Sequence, residues 1–259
     1  MISIKTSFEL AIMRENGHIL AGILEELVEM AVAGTSTASL DRHAERRIRE
    51  EGGEPAFPRF AGYPATINAS RNEEVVHGVP SEKRILAEGD LFSIDIGMYR
   101  RGFCVDMATT VPIGDTTDDA QRLLEVGEAS LWNAIGAVRI GNRLSDVSHA
   151  VGAFVEEAGF HVVREYVGHG IGRALHEDPQ IPNYGPPGRG PRLRPGMTLA
   201  IEPMVKVDDL PTRVAEDRWT VVTGSGGLSV HFEHTVALTE TGVEVLTSNE
   251  EVSPDARGQ

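Results

Sequence analysis

Two carboxylates in one β-hairpin constrain this chain more than any other feature. Residues 88–110, EGDLFSIDIGMYRRGFCVDMATT, hold two runs rich in apolar and β-branched residues, 91–98 and 103–110. They meet at Arg100-Arg101-Gly102, and strand-forming runs around a short turn with glycine predict a hairpin. A two-residue loop at Arg100-Arg101 sets Tyr99 opposite Gly102 and, further out, Asp95 opposite Asp106. Alternation gives Phe92, Ile94 and Ile96 to one face and Asp95 to the other. Like charges opposed in an apolar hairpin destabilise it, and burying them unpaired is costly. A shared proton, basic partners or a bound cation each resolves the conflict, as does a solvated face.

The remaining residues bear on that choice. With 259 residues, 41% hydrophobic and 24% charged, and no low-complexity linker, residues 1–259 are expected to form one compact domain. Lys and Arg number 24 against 39 Asp and Glu, a net charge of −15. Such acidity argues against nonspecific binding to nucleic acid or to an anionic membrane. Cys104 is the single cysteine, so no intrachain disulfide is possible and a reducing compartment fits. Its apolar neighbours predict a buried, inert thiol. The amino-terminal residues carry no signal-peptide pattern, and no apolar run is long enough to span a bilayer. A cytoplasmic, non-membrane protein is expected.

Taken in order, residues 6–33 read as an amphipathic helix capped by Thr6 or Ser7. Its apolar face is Leu10, Met13, Ile19, Ile23, Leu27 and Met30. A second helix starts at Ser36 or Thr37 and ends at Gly52-Gly53. A short strand is expected over 65–69. After the hairpin, helices are expected over about 118–138 and 145–158. Strands follow at 160–165, 197–207, 219–223 and 228–238, with a Gly-rich loop, GHGIGRALHEDPQ, after the first. The tail from Asn249 is polar and reads as frayed.

One internal echo stands out. EGDLFSID and RPGMTLAIE share a glycine, a short apolar strand and a carboxylate, so that Gly89 relates to Asp95 as Gly196 relates to Glu202. A second strand carries another acid in each case, Asp106 in CVDMATT and Glu233 in HFEHTV. The pattern predicts two related halves, roughly 1–115 and 116–250, each sending two acids to a shared centre. Four converging carboxylates with no basic partner repel one another, and divalent cations neutralise them. The Gly-flanked His169 would add an imidazole to an oxygen-rich set, which suits Mn, Fe, Co or Zn. Four acids and one histidine match two ions that share bridging carboxylates. His231 and His234 flank Glu233, and alternation turns His234 to the opposite face.

The segments NEEVVHGVP, DIGMYRRGFCVDMATT, GHGIGRALHEDPQIPNYG, TLAIEPM and SVHFEHTVALT resemble, in order and over nearly the whole chain, the motif series of type I methionine aminopeptidases, and in the absence of an amino-terminal extension their short bacterial form. The resemblance implies an α+β pita-bread fold: a curved antiparallel sheet, helices outside it and an internal pseudo-twofold axis. It implies that Asp95 chelates one ion, that His169 and Glu202 hold the other, and that Asp106 and Glu233 bridge. His77 and His176 match the family's substrate-facing histidines, and Glu202 its proton shuttle. The implied methionine pocket is Phe57, Phe60, Tyr63, His77, Leu175 and Trp219. Asn68 stands where many members carry Cys, Thr or Ser, and Leu175 where an aromatic is frequent.

The implied activity is removal of amino-terminal methionine when the second residue is small, by a water activated between two divalent ions (Co, Mn, Fe or Zn). The implied partners are amino termini of nascent polypeptides, with ribosome association, for a monomeric enzyme. Proline-specific relatives share the five ligands but usually carry an extra amino-terminal domain. A non-catalytic binder of peptide amino termini is the alternative of another class.

Overall fold

The computed structural model describes residues 1–249, and the tail expected to fray lies, beyond Asn249, outside them. Four helices flank a curved nine-stranded antiparallel sheet. Helix α1 is Ser7–Met30 and α2 is Thr37–Glu50. The Thr6 hydroxyl accepts from the Glu9 amide, and the Glu9 carboxylate accepts from the Thr6 amide, closing a capping box. The buried face of α1 centres on Met13, Leu20, Leu24 and Leu27. Ile19 and Met30, expected on that face, are only half-buried. The Asn16 side chain, buried on the same helix, donates to the carbonyls of Arg100 and Phe103 at the hairpin tip. Helices α3 (Asp118–Gly136, capped by Thr117) and α4 (Leu144–Glu157) cover the second apolar cluster.

The first strands are β1 (Glu54–Pro55), β2 (Ile67–Arg71) and β3 (Glu74–Val76), followed by the long pair β4 (Leu91–Arg100) and β5 (Phe103–Pro112). Later come β6 (His161–Val162), β7 (Gly168–Gly170), β8 (Glu177–Ile181), β9 (Thr198–Ile201) and β10 (Met204–Lys206). The last are β11 (Arg213–Val214), β12 (Val221–Val222), β13 (Ser229–His231), β14 (Glu233–Thr239) and β15 (Gly242–Val245).

The hairpin forms, but its turn is Arg101-Gly102, because Arg100 pairs with Phe103. Both turn residues have positive φ, 51° and 82°. The primed turn of a two-residue hairpin demands this, and glycine takes it most readily. The register therefore moves by two residues from the expected one. Asp95 pairs with Ala108 and Asp106 with Gly97. A two-residue shift preserves the face, so the acids remain neighbours as a diagonal pair.

Several expected strands are shorter or broken. Only His161–Val162 of 160–165 and Val221–Val222 of 219–223 are strand, and the strand expected at 65–69 is Ile67–Arg71. Residues 197–207 break at Glu202-Pro203, since proline offers no amide and holds its predecessor out of regular pairing. Residues 228–238 break at Phe232, which lets Ser229–His231 leave the main sheet and pair with β10. His169, expected in a loop, sits in β7, and β8 begins directly after His176.

The internal echo is visible in the backbone. Gly89 and Gly196 both have positive φ, 86° and 88°, and each stands two residues before its strand. The central strand order is β4-β5-β14-β9, all antiparallel. Under the echo β4 corresponds to β9 and β5 to β14, so the order reads the same from either side of the β5–β14 seam. The four acids meet at that seam.

Candidate metal centre and substrate cleft

One cleft is lined by Val76 and all thirteen residues singled out above. Asp95, Asp106, His169, Glu202 and Glu233 are among them. Asp95 and Asp106 share a face of the β4–β5 hairpin, and Glu233 opens β14 opposite Ala108. Glu202 stands at the proline break after β9, where its carbonyl accepts from the Asn183 side chain at 3.0 Å. His169 Nδ1 donates to the Gly170 carbonyl at 2.9 Å. That bond leaves Nε2 as the lone-pair nitrogen, 3.3 Å from Glu202 Oε1.

Ligand atoms of Asp106, His169 and Glu233 lie within 4.8 Å of one another. Asp95 Oδ1, Asp106 Oδ1 and Glu233 Oε1 are buried without a hydrogen-bond partner. Native interiors rarely leave such atoms orphaned. Burial raises the Asp95 carboxyl to about 7. It also lifts Asp106, Glu202 and Glu233 well above the carboxylate range, and repulsion from the neighbouring acids adds to the shift. Burial lowers His169 to about 3, so its imidazole is neutral. A divalent cation is the partner that returns such acids to their ionised form, and this oxygen-rich donor set fits one.

The walls differ in kind. Tyr63 packs edge-on to Trp219 (ring centroids 5.2 Å apart) and to Phe57 (6.2 Å), and its hydroxyl donates to the carbonyls of Ile67 and Gly78. His176 stands edge-on to His169 at 4.4 Å and to the exposed rim residue Phe60 at 4.5 Å. His77 has positive φ, 60°, and stacks edge-on with Tyr166 at 5.7 Å. Burial lowers His77 to about 4 and His176 less far. Both imidazoles are therefore neutral at pH 7.

One neighbour of the centre had no role in the sequence reading. His231 is buried, and its unpartnered Nε2 lies 3.9 Å from Glu202 Oε2 and 4.0 Å from Glu233 Oε2. The two-residue period puts it on the face of Glu233, which is the signal available in the sequence. His234 turns away, toward Thr247 and Trp132. Cys104 is buried, and burial raises its thiol well above the usual range.

A family model for metallopeptidase family M24 matches residues 11–240. Methionine aminopeptidase 1 of Bacillus subtilis strain 168 is 51% identical over 247 residues, 95% of this chain and 99% of that relative. The crystal structure of methionine aminopeptidase from Thermotoga maritima superimposes with a TM-score of 0.94 at 44% identity, covering 96% of this chain and 100% of that one. Prolidase from Pyrococcus furiosus shares the fold at a TM-score of 0.78 and 25% identity, and only 66% of its chain is covered. On this evidence the fold is the pita-bread fold, and the chain belongs to metallopeptidase family M24.

Proposed function

We propose that this chain is a metal-dependent methionine aminopeptidase of the short bacterial type I form. It hydrolyses the bond after an amino-terminal methionine when the second residue is small. The observation that carries the reading is that three buried carboxylates, the half-buried Glu202 and His169 line one cleft together with an aromatic cluster and two neutral imidazoles. Asp95, Asp106, His169, Glu202 and Glu233 would hold two divalent ions, of Co, Mn, Fe or Zn. When bound, such ions supply Lewis acidity and an acidified water at neutral pH.

The chain's own groups do the rest. Phe57, Tyr63, Leu175 and Trp219 enclose the methionine side chain, with Phe60 and Asn68 at its borders. Aromatic edges suit a thioether. His77 and His176, neutral at pH 7, hydrogen-bond the scissile amide and stabilise charge as it develops on the carbonyl oxygen. Glu202, ionised when the site is loaded, would accept a proton from the attacking water and deliver it to the leaving amine. Two related halves form a single catalytic domain, supported by the mirrored order β4-β5-β14-β9. Among the described residues no helix is long and apolar enough to cross a membrane, and a reducing cytoplasm fits the lone buried thiol.

Cleavage of Met-Ala-Ser, Leu-Ala-Ser and Ala-Pro-Ser, after chelation and with each metal restored, tests the reading. Metal-dependent methionine release from the first peptide alone is expected. Cleavage of Ala-Pro-Ser instead would move the chain to proline-specific chemistry. A folded, metal-loaded protein that cleaves none would be a binder of peptide amino termini.

A further inference from the structure

Lys5 lies ahead of α1, far in sequence from the cleft, and its side chain is almost fully buried. The Lys5 amide donates to the Gly196 carbonyl at 2.7 Å. Its Nζ donates to Glu177 Oε2 at 2.6 Å. The other Glu177 oxygen accepts from the amides of Arg173 (2.7 Å) and Ala174 (3.2 Å). Glu177 thereby closes the loop of residues 171–176 at its base. Gly172 opens the slot that the lysine threads: a Cβ there would lie 2.3 Å from Lys5 Cε. The hairpin holds the same loop from the other side, where the Cys104 amide donates to the Gly172 carbonyl and the Leu175 amide to the Tyr99 hydroxyl.

Leu175 and His176 ride on this loop into the cleft. The His176 ring makes edge contacts with His169 and Phe60, while His176 is the last residue of this loop, so the loop sets where the ring starts from. Buried ion pairs add little net stability, and their better-attested contribution is to specify one geometry. Neither Lys5 nor Glu177 lines the cleft.

We propose that Lys5 is a positioning residue: through Glu177 it locks the 171–176 loop and so aims His176 and Leu175 at the substrate. The inference rests on the aminopeptidase reading for its kinetic consequence, though not for the loop itself. Misplacing a reacting group by about 1 Å costs up to about 100-fold in rate.

The test is a double-mutant cycle on the metal-saturated enzyme with Met-Ala-Ser, using K5M, H176A and K5M/H176A. K5M is expected to lower kcat by about 10- to 100-fold with unchanged metal affinity. In the H176A background it is expected to change kcat by less than about twofold, because coupled residues are not additive. Equal losses in both backgrounds, full activity of folded K5M, or a parallel loss of metal affinity would each overturn the proposal. If K5M does not fold, K5M/E177Q leaves no unpaired charge, its amide oxygen still accepts from Arg173 and Ala174, and the same cycle applies. Hydrogen exchange of the 171–176 amides gives a readout without catalysis: faster exchange in the Lys5 variant is expected, and unchanged exchange rejects the lock. If the unaltered enzyme releases no methionine, the activity assignment fails, and exchange still decides the loop.

Discussion

Asn68 stands directly across the β2–β4 pairing from Asp95, with its amide nitrogen 2.5 Å from a carboxylate oxygen of that acid. Its own carbonyl oxygen is buried without a partner. The contact is part of the ladder, since the two side chains share a face of adjacent strands. A donor on one oxygen of a carboxylate fixes its rotamer, and it leaves Asp95 Oδ1, which has no hydrogen-bond partner, free for the metal proposed here.

Asn68→Ala should therefore weaken metal binding by about tenfold or more while leaving the fold intact. Calorimetric titration of metal into chelated protein measures this, with circular dichroism as the control for folding. Affinity equal to the parent's would mean that the amide shapes only the methionine pocket.

Gly97 faces Asp106 across the hairpin, and nothing larger fits there. A Cβ on Gly97 would lie 2.9 Å from Ala56 Cβ and 3.0 Å from Asp106 Oδ1. Ala56 is backbone-tied to the same spot, its amide donating to the Gly97 carbonyl. Gly97→Ala is expected to cost about 1–3 kcal/mol in stability, the usual penalty for overpacking. It should also lower metal occupancy if, as proposed, the displaced Asp106 oxygen is a ligand. Denaturant unfolding and metal analysis of the purified variant check both. Normal occupancy with reduced stability would show that Ala56 moves instead of Asp106.

How much of this was legible beforehand follows from the range of each interaction. The caps at Thr6, Ser36 and Thr117 are local, and they fall where side-chain oxygens stand before apolar periodicity. Val76, which also lines the cleft, was not singled out. The four acids and His169 were reachable from strand pattern and glycine context, whereas His77, His176 and the pocket residues were reachable only through the resemblance. The turn register was not, since Arg101 adopts positive φ only in concert with the twist of both long strands. The break at Phe232 was also hidden, because pairing of Ser229–His231 with β10 is a tertiary choice. Alternation set His231 on the face of Glu233, but its approach to Glu202 shows only once the sheets are placed. Lys5 lies still further out of reach, 172 residues from Glu177.

The methionine pocket gives a kinetic expectation. Trp219 packs edge-on to Tyr63 and lines the cleft. Such an aromatic contact adds about 0.5–1.5 kcal/mol beyond simple burial. Trp219→Ala should raise KM for Met-Ala-Ser by about tenfold with little change in kcat, the pattern of lost uniform binding. A fall in kcat at constant KM would place Trp219 in the chemistry instead.

The last expectation concerns pH. Burial raises the Asp95 carboxyl to about 7, against 3.8 for the same group free in solution. A carboxyl that holds its proton more tightly when folded stabilises the protein fully below the unfolded value and loses that contribution as pH climbs through the folded one. Metal-free protein should therefore lose stability through this group between about pH 4 and pH 8. Asp95→Asn removes the ionisation and leaves an amide oxygen for Asn68 to donate to. At pH 8 the chelated Asp95→Asn variant should melt higher than its chelated parent by roughly 5 °C, at 2–4 °C per kcal/mol in a chain of this size. Near pH 4 the two should converge. Restoring metal at pH 8 should reverse the order, because ions that bind only the folded parent raise its midpoint by mass action. Scanning calorimetry with and without chelator follows all three comparisons. A gap between parent and variant that is the same at both pH values would show that Asp95 ionises freely in the metal-free protein.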